Sequence, residues 1–391
     1  MCIRDRIRGT KIFITWGEHD LAENIVHLVL ARIDGAPACT RGISLFIVPK
    51  YLPGDDGKPG RRNDLRCVSL EHKLGVRASP TCVMAYGDDE GAVGFLLGEP
   101  NEGMRCMFTM MNSARMAVGN QGLGVAERAY QQALAYARSR IQGRRDGHPA
   151  AIVDFPDVRR MLVTMRAQIA AMRALSYTTA AYVDRSQHHP DHSERANAAD
   201  RVALLTPMVK AWCTDLAQEI ASMAVQVHGG VGFIEETGVA QHLRDARILP
   251  IYEGTNGIQA MDLVGRKLDM AGGELPWRLI EELRTELTTL PAEIRPPLAG
   301  ALAAIERTTR HLQASAADDR AAGAVHYLRL FATTLGGWLL ARGAAAAYAK
   351  AGSDWPALAR FFLTTLLPPA VALEGPITAG IQLLDAELPG D

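Results

Sequence analysis

The sequence predicts an α+β chain: a small antiparallel β domain at residues 1–98, an antiparallel helical bundle at 99–269 and a helical C-terminal extension at 270–391. Three observations predict it. Up to residue 98, apolar residues alternate or form short runs between Gly, Pro and Asp clusters. At Asn101 the apolar period lengthens from two to about 3.6 and holds over long segments. After Met270-Ala271-Gly272-Gly273 a further helical pattern begins.

Strands are expected at 10–16, 25–33, 43–48, 68–70, 81–86 and 92–97. Breaks such as Pro53-Gly54-Asp55-Asp56-Gly57-Lys58-Pro59-Gly60 separate them, giving a small sheet or an open barrel. The first bundle helix carries Met104, Met107, Phe108, Met111, Val118, Val125, Ala129, Ala133 and Tyr136 at helical spacing. The second carries Val158, Met161, Leu162, Met165, Ile169, Met172 and Leu175. The third carries Leu205, Met208, Val209, Trp212, Leu216, Ile220, Met223 and Val227, and Gly229-Gly230 ends it as a C-cap would. Shorter helices are expected at 237–248 and 256–268, and long amphipathic helices with short links imply an antiparallel bundle. In the extension, Ser353-Asp354-Trp355-Pro356 marks a helix start with Pro at the first helical position, and Ala344 to Ala347 predict close helix packing. Met1 to Arg6 run straight into an interior-strand pattern, so the chain is expected to begin inside a domain, after a lost N-terminal portion.

The bulk numbers narrow the function classes. With 391 residues, 48% hydrophobic and 22% charged, the composition is that of a soluble globular protein. A formal net charge of −1 with dispersed basic residues gives no field for gathering nucleic acid or an acidic membrane. The apolar segment 361–373 is short and interrupted by Pro368-Pro369, so no membrane span is expected. No charged-then-apolar leader opens the chain, which makes a cytoplasmic location the expectation. Cysteines at 2, 39, 67, 82, 106 and 213 include no Cys-x-x-Cys pair, which disfavours zinc and disulfides alike. Cys213 reads as a small core residue.

The most informative stretch is Pro250-Ile251-Tyr252-Glu253-Gly254-Thr255-Asn256-Gly257-Ile258-Gln259, with Gln226-Val227-His228-Gly229-Gly230 and Arg244-Asp245 upstream. It sets one carboxylate at a glycine-marked break between two helical patterns. An isolated Glu-Gly would read as a solvated Glu capping the helix at Asn256. A carboxylate that is to act as a general base near neutral pH needs a dry pocket to raise its proton affinity. Elsewhere, His188-His189-Pro190-Asp191-His192 reads as a solvated link, with no metal expected. His228 reads as a packed histidine, and Glu235, Glu236, Arg244 and Asp245 as surface or bundle charges. Gly119-Asn120-Gln121-Gly122-Leu123-Gly124 has the wrong glycine order for a dinucleotide fingerprint and reads as close helix packing.

Taken together, the ordered strings at 226–230, 244–245 and 250–259 resemble the C-terminal signature of the acyl-CoA dehydrogenases. The resemblance covers 9–268 tightly and 274–391 loosely, where larger bacterial members carry a helical extension. It implies a FAD-dependent α,β-dehydrogenation of an acyl-CoA thioester, with Glu253 as the α-proton base and electrons passed to an electron-transfer flavoprotein. Some relatives carry the base on the first bundle helix instead, but Ala114 stands at that position here. For the flavin, the resemblance implies Phe13 and Thr15 on a strand, Gln226, Gly229 and Gly230 on the adenosine side, and Thr255 and Asn256 after the base. Arg140 and Gln142 would reach the flavin of a neighbouring subunit, which implies a homodimer or higher. Arg115, Tyr252 and Gly254 would serve the acyl-CoA. Trp16 departs from the smaller residue common beside the flavin strand. An acyl-CoA oxidase, or a non-catalytic fragment that only packs or dimerises, remains an alternative.

Overall fold

In the computed structural model, which describes residues 4–347 and 354–385, the alternating segments before residue 98 form antiparallel strands. Met1, Cys2, Ile3 and Ser353 lie outside the described residues. The strands are β1 (Arg4–Ile7), β2 (Gly9–Thr15), β3 (Val26–Arg32), β4 (Ile43–Pro49), β5 (Tyr51–Pro53), β6 (Pro59–Arg62), β7 (Leu65–Leu70), β8 (Thr81–Tyr86) and β9 (Ala92–Leu97). One sheet has the order β1-β9-β4-β3 and another β2-β8-β7. Ile7, Val29, Phe46, Val48 and Ala92 of the first sheet join Leu65, Cys82, Met84 and Tyr86 of the second in a single core. Two sheets on one core therefore replace the single sheet or open barrel expected.

The differences from the sequence pattern have local causes. A bulge between Cys67 and Ser69 interrupts the alternation of β7, which hid its first three residues. The Gly/Pro/Asp cluster after residue 53 is itself the turn of a short β5–β6 hairpin, pairing Tyr51 with Arg62. Strand β1 is too charged to read as a strand, yet it pairs with β9 along its length.

The chain divides into two units, Met1–Ser113 and Ala114–Asp391. Helix α1 (Gly103–Ser139) begins in the first, and its residues from Ala114 onward belong to the second. The second unit continues with the hairpin β10 (Ile141–Arg145) and β11 (His148–Ala151), then α2 (Pro156–His188), α3 (His192–His228), α4 (Val239–Ala246) and α5 (Asn256–Gly265). Next come α6 (Glu274–Leu287), α7 (Arg295–Ala314), α8 (Ala317–Ala347), α9 (Trp355–Phe361), α10 (Leu367–Val371) and α11 (Glu374–Thr378).

Arg185 meets Glu194 and Ser176 meets Cys213, so α2 and α3 run antiparallel. Helix α3 starts well before its apolar stripe because Asp191 caps it, accepting from the N–H groups of Ser193 and Glu194. Cys213 is buried, and burial pushes its thiol up to about 12, as a core residue requires. Helices from both sides of residue 270 share one core that runs from Val118 to Ile377. Trp212 of α3 donates through Nε1 to Thr333 Oγ1 of α8 at 3.1 Å. Ala344 and Ala347 on α8 are buried as well.

Two glycines of α1 let it approach α3 closely. A Cβ at Gly119 would lie 2.7 Å from Val209 Cγ1, and one at Gly122 would lie 2.9 Å from the Cys213 carbonyl oxygen. At Gly124 a Cβ would meet nothing within 4 Å, so the packing role expected of that string stops at Gly122. Gly122→Val forces the helices apart at a backbone atom. It is expected to cost about 1–3 kcal/mol, read as a lower thermal or denaturant midpoint, whereas Gly124→Ala is tolerated.

One expectation is corrected. The 24-residue helical run Trp355–Thr378 is long and apolar enough, by length and composition alone, to cross a membrane. Pro368 and Pro369 do not break it, because a π-turn at Phe362–Leu366 precedes them and they fall in the first turn of α10. Here Leu358, Phe362, Leu363, Leu367 and Ile377 from this run are buried in the helical core.

Candidate functional site

The segment between α4 and α5 makes a tight turn whose ends are pinned. Tyr252 N–H donates to Ile248 O at 3.1 Å and Asn256 N–H donates back to Pro250 O at 2.9 Å. At its apex Glu253 has φ +55° and Gly254 has φ +82°, two consecutive left-handed residues. For a side chain larger than glycine that conformation costs about 1–2 kcal/mol, so the surrounding contacts must impose it. Gly254 cannot be replaced cheaply: a Cβ there would sit 2.9 Å from Gln259 Nε2 in an already disfavoured φ. Thr255, not Glu253, caps α5 by accepting from Gly257 N–H at 3.3 Å. The bland reading of Glu253 as a helix cap is thereby removed, and its half-buried carboxylate is left for other work.

Several buried polar groups lie behind this turn. Gln259 is fully buried and donates through Nε2 to Gly254 O at 3.2 Å. Arg115 is 4% exposed and pairs with Asp262 at 3.6 Å, so it is not a solvated helix arginine. Its guanidinium faces Gly254. Arg115 Nε and Gln259 Oε1 are buried without a hydrogen-bond partner among the described residues. Tyr252 donates to Gln121 Oε1 of α1, and burial plus the neighbouring Glu253 carboxylate push its hydroxyl up.

Asn256 faces inward. Its Oδ1 accepts from Lys210 Nζ at 2.8 Å, while its Nδ2 donates to Asp215 Oδ1 at 2.7 Å, Thr214 Oγ1 at 2.9 Å and Ala211 O at 3.1 Å. With its amide committed to α3, Asn256 can touch a ligand at the turn only through its backbone. Lys210, Asp215, Gln259 and Asp262 escaped the sequence pattern. The available signal was Lys210, a lone cation among Met208, Val209, Ala211 and Trp212.

A second cluster forms where the ends of α1 and α3 meet. Tyr136 stacks on His228 with ring centroids 4.5 Å apart, and His228 Nδ1 is 2.8 Å from Ala224 O, which makes it the packed histidine expected. This contact brings the Arg140–Gln142 segment to the same end as Gln226–Gly230. Arg140, Gln142, Gln226, Gly229 and Gly230 are all exposed. Gly229 takes φ +63°, and a Cβ at Gly229 or Gly230 would meet nothing within 4 Å, leaving open backbone.

In the first unit, the bulge between Lys11 and Ile14 of β2 turns Phe13 outward at φ +58° with 67% exposure. Thr15 is exposed beside it, and Trp16, also at positive φ, packs edge-on against His19. His189 Nδ1 accepts from Asp191 N–H, making its link a helix approach. Arg244 pairs with Glu235 at 2.8 Å as a surface charge.

Two family models match the chain: "Acyl-CoA dehydrogenase, C-terminal domain" over 101–268 and "Acetyl-CoA dehydrogenase C-terminal like" over 279–385. A 3-methylmercaptopropionyl-CoA dehydrogenase of Ruegeria pomeroyi is 54% identical over 359 residues, covering 88% of this chain and 60% of that protein. A broad-specificity linear acyl-CoA dehydrogenase of Mycobacterium tuberculosis is 35% identical over 402 aligned residues, covering 93% of this chain and 65% of its own length. This chain thus spans less than two thirds of either relative. Among solved structures, an acyl-CoA dehydrogenase from Bacillus anthracis complexed with FAD superposes with a TM-score of 0.75 at 22% identity, over 99% of this chain and 68% of that one. That likeness shows a common fold.

Proposed function

Because this chain belongs to the acyl-CoA dehydrogenase family, we propose that it carries out FAD-dependent α,β-dehydrogenation of an acyl-CoA thioester with Glu253 as the base. The observation that carries the proposal is the Glu253–Gly254 turn: a carboxylate held in left-handed backbone, free of capping duty, ahead of the N-terminus of α5.

Glu253 takes the proton from the carbon next to the thioester carbonyl. Gly254 has no side chain to block the approach of that carbon, and Tyr252, tied to Gln121, lines the turn on the acyl side. The developing charge on the thioester oxygen needs a donor, and the Glu253 and Gly254 N–H groups at the turn are the nearest backbone candidates. Arg115 of α1 supports the acyl-CoA, its guanidinium turned toward the Gly254 backbone. FAD, when bound, supplies the acceptor for the hydride that leaves the β-carbon.

The residues present suit that cofactor. Phe13 offers an exposed aromatic face and Thr15 an exposed hydroxyl. Gly229 and Gly230 offer open backbone, with Gln226 beside them, for the adenosine side. Arg140 offers a planar fork that can pair bidentately with pyrophosphate, and Gln142 follows it. Thr255 and the backbone of Asn256 lie next to the base. The Arg140 and Gln142 contacts are assigned to a neighbouring subunit's flavin, which requires a homodimer or larger assembly. An electron-transfer flavoprotein is the proposed electron acceptor.

The test is anaerobic titration of the FAD-reconstituted protein with a panel of acyl-CoA thioesters. Bleaching of the flavin band, with turnover dependent on an electron-transfer flavoprotein, is expected. Stoichiometric oxygen uptake with peroxide formation would assign an oxidase instead, and no flavin uptake would leave a packing or dimerising module.

A further inference from the structure

We propose that Lys210 is a positioning residue for Glu253: its buried ammonium tethers Asn256 and thereby fixes the turn that presents the carboxylate. The inference rests on Glu253 being the base, as proposed above.

Lys210 lies in the middle of α3 with 0% exposure, between the buried Val209 and Ala211. Burying an ammonium costs several kcal/mol unless it is paired and hydrogen-bonded. Its bond to Asn256 Oδ1, at 2.8 Å, supplies that partner. Asn256 is the staple of the turn. Its amide nitrogen donates to Ala211, Thr214 and Asp215 on α3, and its backbone N–H closes the turn onto Pro250. Removing Lys210 leaves Asn256 Oδ1, among the described residues, with Thr214 Oγ1 at a longer 3.3 Å. The strained φ values at Glu253 and Gly254 then lose one of the contacts that impose them.

Charge reinforces the geometry. The groups facing the ammonium are Asp215 on its own helix, Arg115 on α1 and Glu253 on the turn. Burial pushes Lys210 down to about 8; Asp215 and Glu253 pull it up, and Arg115 pushes it further down. Lys210 is therefore charged below that pH and neutral above it. Above it, Asn256 loses its charged donor and Glu253 loses a nearby cation.

The test compares wild type with Lys210→Met and Lys210→Arg. Amide hydrogen exchange at 253–257 needs neither flavin nor turnover. For Lys210→Met it is expected to speed up about 10- to 100-fold, the loss anticipated for a hydrogen bond from a charged donor. In the FAD-reconstituted protein, kcat is expected to fall by a similar factor with KM little changed. Wild type is expected to show an alkaline transition near pH 8, absent from both variants, because methionine never carries the charge and arginine never loses it. Arginine is also expected to restore the exchange protection. Wild-type exchange and an unaltered alkaline transition in Lys210→Met would overturn the proposal. If that variant does not fold, persistence of the transition in Lys210→Arg overturns it equally. If Glu253→Gln keeps normal flavin bleaching while Lys210→Met still loosens the turn, the base assignment fails and the tether stands.

Discussion

Glu253→Gln is expected to leave FAD uptake unchanged and to slow flavin bleaching by an acyl-CoA roughly 10²- to 10⁴-fold, the contribution of a positioned general base. The substitution preserves shape. Glutamine fills the same volume, and the cap of α5 belongs to Thr255, so helix and turn survive. The backbone strain at φ +55° is similar for Glu and Gln, so stability is expected to change little. Lost is a group that can accept the α-proton. The residues assigned to FAD lie at other points of the chain, on β2, at the α1–β10 junction, at the end of α3 and just after the turn. Anaerobic stopped-flow absorbance reads both quantities, and bleaching at the wild-type rate would refute the role.

Trp338→Ala is expected to be the most damaging single change to stability, at about 3–5 kcal/mol. Trp338 is 1% exposed and is among the largest fully buried side chains of the described residues. It sits on α8, where the late helices join the core of the earlier ones. Its indole Nε1 donates to Glu286 Oε2 at 2.7 Å. Truncation opens a cavity in a core that cannot collapse far, because Arg342 also holds Glu286 and so fixes α6 against α8. For a unit of this size the loss corresponds to a fall in midpoint on the order of 10 °C, measurable by calorimetry. A drop of only a degree or two would mean that the late helices are not held through this core.

The long periodic elements were legible because burial alone dictates them. The stripes Met161, Leu162, Met165, Ile169, Met172 and Leu175 on α2, and Leu205, Met208, Val209 and Trp212 on α3, are buried as their spacing requires. Strands β8 and β9 begin and end at the residues expected. Illegible elements obey other rules. The β10–β11 hairpin is almost wholly exposed and carries no apolar period. Helix α3 extends upstream of its stripe because the Asp191 cap sets its start there, and it runs on through Pro207. The helical run after Trp355 continues past two prolines because a π-turn absorbs them.

At the site, the linear string around Glu253 identified the turn, but not what holds it. Arg115 is given by the resemblance as an acyl-CoA contact, and only the fold shows its side chain buried against Asp262, far along the chain. Lys210 went unread within an apolar run, and only the fold brings Asn256 to it. Asn256 looked like a ligand contact because it follows the base, whereas its side chain is spent on α3. Such tertiary partners are separated by tens of residues and leave no local period to read.

The most direct test of the account is a crystal structure of the FAD-loaded protein with an acyl-CoA analogue whose β-carbon is replaced by sulfur, which cannot release a β-hydride. A Glu253 carboxylate oxygen within about 3–3.5 Å of the analogue's α-carbon, the separation of a near-attack geometry, is the predicted result. A bound thioester whose α-carbon instead faces another acid or base, with Glu253 turned to solvent, would contradict it.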